Sequence, residues 1–148
     1  MLKFSIANPQ ELLKVQRERI RAIGTEVLEG EGVKNARISL AFVDNSTIHQ
    51  INQRFLQHDE PTDVISFPWS RPNASCLEGE LVIGVQVAEE QAKDRGHDVE
   101  SEIALYIIHG LLHLCGYDDH SDEEAEEMRN LERKYLLALK YPDISGGE

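Results

Sequence analysis

The segment from Val99 to Cys115 limits the fold more than any other. Read as a helix, it carries Ile103, Leu105, Tyr106, Ile107, Ile108, Leu111, Leu112 and Leu114, so apolar side chains cover nearly every side. A helix that is apolar all round must be surrounded by protein. Its apolar part, Ile103 to Cys115, is 13 residues long and includes two histidines. A bilayer span takes about 20 apolar residues, so a membrane helix is excluded here. The segment is therefore expected to be the central buried helix, with Gly116 marking its end. At 148 residues the chain can bury one proper core around it.

The flanking sequence supplies the elements to surround that helix. Lys3–Ala7 alternates as a strand does, and Asn8-Pro9 breaks it. Pro9 fits the first turn of a helix, and Leu13, Ile20, Ile23 and Val27 recur at helical spacing, predicting a helix from Glu11 to about Leu28. Lys14, Arg17, Arg19 and Arg21 lie on it among Glu11 and Glu18, which suits a solvated face, with an RNA-facing patch as the sharper alternative.

Gly30 and Gly32 end this helix, and Arg37–Val43 alternates as a second strand. Asp44-Asn45-Ser46 offers capping chemistry for a short helix from Thr47 to about Leu56. His58–Pro61 suits a turn, Val64–Phe67 a third strand stopped by Pro68, Trp69–Glu78 a loop, and Leu81–Val85 a central fourth strand.

Helices are expected over Val87–Arg95 and Val99–Cys115. A last helix opens on the capping box Ser121-Asp122-Glu123-Glu124, runs to about Lys140, and has Met128, Leu131, Tyr135 and Leu139 as its inner stripe. The tail Ser145–Glu148 is expected to be loose. The order lacks strict βαβ alternation. It predicts an α+β fold in a single domain spanning 1–148, with a small four-stranded mixed sheet packed against about five helices.

Charge and cysteine content narrow the function classes. The net charge is −12, which disfavours binding duplex DNA through a broad basic surface. Asp118–Glu132 holds eight acids against one base, a net −7 that leaves −5 for the rest. Its cluster from Asp122 to Glu127 suits a helix N-terminus. Cys76 and Cys115 are 39 residues apart without a Cys-x-x-Cys pair, so neither a disulfide framework nor a cysteine zinc site is expected. Met1–Asn8 lacks the features of a secretory leader, and a cytoplasmic location is expected.

The chemistry concentrates in His109-Gly-Leu-Leu-His113-Leu-Cys-Gly-Tyr-Asp118-Asp119-His120. Histidines four apart on a helix share one face and can grip one metal ion. The turn at Gly116 can then return a third ligand, completing the three protein ligands of a catalytic zinc site. His120 is favoured as that ligand because imidazole accompanies imidazole more often, and Asp119 is the alternative. Cys115 suits a small buried group instead. The long zinc-protease signature His-Glu-x-x-His-x-x-Gly-x-x-His is similar, but Gly110 replaces its general-base Glu and His120 falls one residue late. The missing Glu argues against plain peptidase activity.

The segment resembles the signature of the YbeY family, metal-dependent endoribonucleases of bacterial ribosomal RNA maturation. Two further blocks agree with that family. One comprises Asn52, Asp59 and Pro61-Thr62-Asp63-Val64-Ile65-Ser66-Phe67-Pro68, and the other is Gly79-Glu80-Leu81-Val82-Ile83. The resemblance implies one Zn2+ per chain on three histidines, with His109 and His113 acting in catalysis through the metal. It also implies cleavage of single-stranded ribosomal RNA in small-subunit 3′-end maturation and ribosome quality control. A small-subunit ribosomal protein and an assembly GTPase are the implied partners, with neither membrane nor DNA.

Two positions depart from the family pattern. Its third histidine usually follows Gly-Tyr-Asp directly, where this chain has Asp119, and it usually carries an arginine where this chain has Leu56. Arg54 and His58 are the nearby stand-ins for substrate binding. The general base stays open between a carboxylate and the RNA's own 2′-hydroxyl. A metal-stabilised assembly factor without catalysis is the alternative function, with a zincin-like hydrolase of another substrate behind it.

Overall fold

The computed structural model describes residues 1–56 and 63–145, the side chains of Phe55 and Leu56 excepted. The elements run β1 (Leu2–Ala7), α1 (Arg17–Gly30), β2 (Ala36–Val43), α2 (Asn45–Leu56), β3 (Val64–Pro68), β4 (Leu77–Gly84), α3 (Val85–Arg95), α4 (Val99–Leu114) and α5 (Asp122–Ala138). The strands form one mixed sheet in the order β1-β2-β4-β3. β1 pairs parallel with β2, β2 parallel with β4, and β3 antiparallel with β4. This is the α+β architecture expected from the sequence, with four strands and five helices among the described residues.

Strand alternation divides the core between the two faces of the sheet. Ile38, Leu40 and Phe42 of β2 and Leu77, Leu81 and Ile83 of β4 join the main core with α1, α4 and α5. Val43, Ile65 and Val82 point the other way and pack with Ile48 of α2 in a smaller cluster. On α4, Ala104, Ile107, Ile108, Leu111 and Leu112 have no exposed surface. Each larger side chain contributes about 1.5–3 kcal/mol by leaving water, so this helix is firmly anchored.

Caps fix where several helices begin. Asp98 Oδ1 accepts from Ser101 N at 3.0 Å at the start of α4. Ser121 and Glu124 form the expected reciprocal capping box at the start of α5. Asp44 Oδ1 accepts from Thr47 N at 2.8 Å at the start of α2.

Three expectations need correction. The first helix starts at Arg17 rather than Glu11. The buried Gln10 side chain takes the place of a first helical turn: its Oε1 accepts from Leu13 N at 2.8 Å and its Nε2 donates to Leu13 O at 2.5 Å. β4 starts at Leu77, so the preceding loop is shorter than predicted, because Leu77 N donates to Asn35 O beside β2. Ser145 is buried, with its N and Oγ both donating to Asp143 Oδ1, so the tail is tied down at that residue.

The turn expected over His58–Pro61, and with it His58, Asp59 and Thr62, lies outside the described residues. Part of the basic face of α1 is engaged within the protein. Arg17 donates to Ile6 O at 2.6 Å, and Arg19 donates to Tyr141 Oη at 2.7 Å while lying over that ring. No helix among the described residues is long and apolar enough to cross a membrane.

Candidate metal centre

His109 and His113 sit one turn apart at the C-terminal end of α4, beside β3. Gly110, between them in sequence, faces β4. A Cβ at Gly110 would lie 2.7 Å from the Leu81 side chain and 3.3 Å from Ser66 Oγ, so the glycine lets α4 lie close on the sheet. The position that carries glutamate in the zinc-protease signature is thus a packing position here, with no room for a carboxylate.

The helix ends in a Schellman turn. Gly116 N donates to His113 O and Tyr117 N donates to Leu112 O, each at 3.0 Å. Gly116 takes φ +105°, a conformation that side-chain-bearing residues rarely adopt. The turn brings the Tyr117 carbonyl back over the helix end, 3.0 Å from His113 Nδ1. A carbonyl can only accept, so His113 Nδ1 carries the hydrogen. On the other ring, His109 Nδ1 lies 2.6 Å from Glu132 Oε2 of α5. Glu132 is 5% exposed, and its carboxylate accepts in the same way. Both acceptors therefore place the hydrogen on Nδ1 and leave the Nε2 lone pair on the outer side of each ring.

Those two Nε2 atoms face each other at 2.9 Å, with the ring planes at 81°. Two lone pairs this close repel unless a cation lies between them, either a proton or a metal ion. For a proton, His109 is the better holder. Burial lowers its pKa, but the hydrogen bond and charge of Glu132 outweigh that and hold it above the ordinary histidine value. Burial, followed by the neighbouring His109, holds His113 below that value.

Asp119 supplies the third donor. Its Oδ2 lies 3.7 Å from His109 Nε2, and one ligand atom each from His109, His113 and Asp119 fall within 4.8 Å of one another. Two imidazoles and a carboxylate suit a borderline divalent ion such as zinc, so the donor set fits a metal. His120 is not in this cluster. Its Nε2 pairs with Asp118 Oδ1 at 2.9 Å, and its side chain is 80% exposed. The structure thus groups the alternative third residue, rather than the favoured one, with the histidine pair.

The cluster opens on a groove of about 660 Å³ between the end of α4, the following loop and β3. Asp63, Ser66, Pro68, Asp118 and Asp119 line it together with His109, His113 and, at its rim, the exposed His120. Three carboxylates on one groove repel an anion unless a cation offsets them. Arg54 lies on the exposed side of α2 and is not among the groove-lining residues, and Leu56 closes that helix. Burial pushes the Cys115 thiol up to about 11, with the Glu31 charge adding to it, which suits an inert, partly buried group. Both cysteines are free.

Glu132 is the site residue that sequence reasoning missed. It stands four residues after Met128 and three before Tyr135, on the inner side of α5. An acid at a core-facing helical position was the available signal, but the many acids around it mask it.

Comparison with known proteins agrees over most of the chain. Residues 5–140 match the family described as endoribonuclease YbeY. A protein of Carboxydothermus hydrogenoformans named endoribonuclease YbeY is 39% identical over 137 residues, covering 90% of this chain and 95% of its own. One of the same name from Pelotomaculum thermopropionicum is 41% identical over 121 residues, covering 77% and 80%. The solution structure of TM1509 from Thermotoga maritima superposes with a TM-score of 0.69 at 26% identity, covering 94% of this chain and 89% of that one. With residues 5–140 matched by the family and relatives of that name about 40% identical over most of their length, this chain belongs to the endoribonuclease YbeY family.

Proposed function

We propose that this protein is a metal-dependent endoribonuclease that cuts single-stranded ribosomal RNA, in a single hydrolase domain that acts in the cytoplasm during small-subunit 3′-end maturation and ribosome quality control. One observation carries the metal part of this reading. Two Nε2 atoms face each other at 2.9 Å while both Nδ1 atoms are held by acceptors. His109, His113 and Asp119 are the proposed ligands of one Zn2+. When bound, the ion would offset phosphate charge and lower the pKa of bound water toward about 7.

The chain's own residues do the rest. Glu132 and the Tyr117 carbonyl keep both rings turned toward the groove. Asp63 lines that groove and offers a carboxylate to a released proton. The RNA substrate is supported by the names of the relatives. The open groove beside the histidines supports catalysis over a closed structural metal site. A small-subunit ribosomal protein and an assembly GTPase remain the proposed partners, and the Arg54 and His58 roles in substrate binding belong to the same proposal.

The test is cleavage of an end-labelled single-stranded RNA by wild type and His113→Ala, purified identically, with a chelator control. Cleavage by wild type alone, abolished by chelator and restored by Zn2+, is expected. Equal cleavage by both proteins, or full zinc stoichiometry in the variant, would overturn the reading.

A further inference from the structure

Glu31 stands at the end of α1 and touches neither histidine. Its carboxylate nevertheless gathers the parts that aim both of them. Tyr117 Oη donates to Glu31 Oε1 at 2.7 Å, and Tyr135 Oη donates to Glu31 Oε2. Tyr117 is the residue whose carbonyl accepts from His113 Nδ1. Tyr135 lies one helical turn beyond Glu132, whose carboxylate accepts from His109 Nδ1. The path from His109 through Glu132, Tyr135, Glu31 and Tyr117 to His113 therefore closes on itself.

The fit of this ring is built in. A Cβ at Gly30 would lie 2.5 Å from Tyr135 Oη, so the glycine before Glu31 makes the space that the phenol occupies. Tyr135 is 1% exposed, which fixes α5 against α1 at this point. The turn bearing Tyr117 has no comparable burial. Tyr117 is partly buried at the edge of the main core, and Glu31 holds its hydroxyl end.

We infer that Glu31 is a positioning residue for the metal centre. By accepting from both tyrosines, it sets the Tyr117 carbonyl and the Glu132 carboxylate at the spacing that turns both Nε2 atoms onto one ion. This rests on the metal-centre reading given above. Metal affinity then depends on a helix that contributes no ligand. Outer partners of metal ligands change affinity by about 10–100-fold. Glu31 acts one bond further out, so the low end of that range is expected.

The test measures Zn2+ affinity of the full chain by competition with a chromophoric chelator, and records the Co2+ absorption spectrum, below the melting temperature of every variant. Glu31→Ala is expected to bind Zn2+ about tenfold more weakly, with an altered Co2+ spectrum. Glu31→Gln is expected to recover most of the affinity, because its amide oxygen still accepts from one phenol and its NH2 donates to the other. Tyr117→Phe should weaken binding in the same direction, and Glu31→Ala with Tyr117→Phe should be no worse than the weaker single variant.

Wild-type affinity and spectrum in Glu31→Ala, with only a lower melting temperature, would overturn the inference and leave Glu31 a structural residue. Should Glu31→Ala fail to fold, Glu31→Gln and Tyr117→Phe carry the same comparison, and wild-type affinity in Tyr117→Phe overturns it. Failure of wild type itself to bind Zn2+ would instead bring down the metal centre and this inference with it. Wild type that binds, His113→Ala that does not, and an unaffected Glu31→Ala would bring down this inference alone.

Discussion

A buried glutamate meets a histidine at each end of helix α4, and only one of the two pairs resembles a reactive site. Near its start, Glu102 is fully buried, and its Oε1 accepts from Arg95 at 3.0 Å and from His97 Nε2 at 2.7 Å. Near its end, Glu132 meets His109 Nδ1 at 2.6 Å. The carboxylates are alike, but the surroundings of the histidines differ. His97 spends Nε2 on Glu102, with Arg95 supplying a permanent positive charge beside it. His109 spends Nδ1 on Glu132 and presents Nε2 to a second imidazole, an aspartate and an open groove. A histidine becomes a ligand when its partner holds the far nitrogen and leaves the near one facing other donors.

That contrast can be broken most sharply by alanine at each histidine. His109→Ala is expected to lose stoichiometric zinc and bring RNA cleavage to background, whereas His97→Ala keeps zinc at wild-type stoichiometry. Metal analysis of both purified variants checks this, and loss of zinc from His97→Ala would break the comparison.

Next in size is Glu102→Ala. It strands Arg95 and His97 beside an apolar helix, and removing one partner of a buried pair costs about 3–5 kcal/mol. The low end is expected because the Arg95 side chain is 20% exposed and can turn to water. Urea unfolding of the zinc-loaded protein would measure it, and the folded variant should still hold zinc.

Glu132→Gln sharpens the comparison from the other end. The amide keeps the shape but loses the charge on the far side of His109. Zinc affinity should fall about 10–100-fold, while stability without zinc changes little. A drop in stability as large as that of Glu102→Ala, with affinity intact, would make the two glutamates equivalent.

The smallest effect concerns the cap that starts α4. Asp98→Ala should cost about 1 kcal/mol. Hydrogen bonds from Ser101, side chain then backbone, hold the Asp98 carboxyl below its ordinary 3.8. A depressed folded pKa means that its contribution is full above the unfolded value and is lost as pH falls through the folded one. The difference between wild type and Asp98→Ala should therefore begin to shrink as pH falls below about 4 and vanish only below the folded pKa. Unfolding curves at pH 7 and pH 3 test this, and a difference at pH 3 as large as that at pH 7 would show that the charge is not what the cap uses.

The sequence alone determined much of this protein. The all-round apolar segment meant a central helix, and α4 is that helix. The box at Ser121 and Glu124 meant a helix start, and the spacing of His109 and His113 meant one shared face. These are local rules, in which periodicity and neighbouring residues suffice. They failed where a distant or non-helical partner intervenes: the Gln10 side chain displaces the first turns of α1, and Asn35 extends β4.

Tertiary structure decided the rest of the site. His120 and Asp119 are adjacent in sequence and residue chemistry favours His120, but the path of the turn after Gly116 sets Asp119 beside His109. Glu132 lies 23 residues from His109 and on another helix, so nothing local pairs the two. Gly110 is read as a missing base until the sheet beneath it is seen. Helical spacing reports which face a side chain occupies. What stands opposite that face depends on how separate elements pack, because that packing fills one shared core.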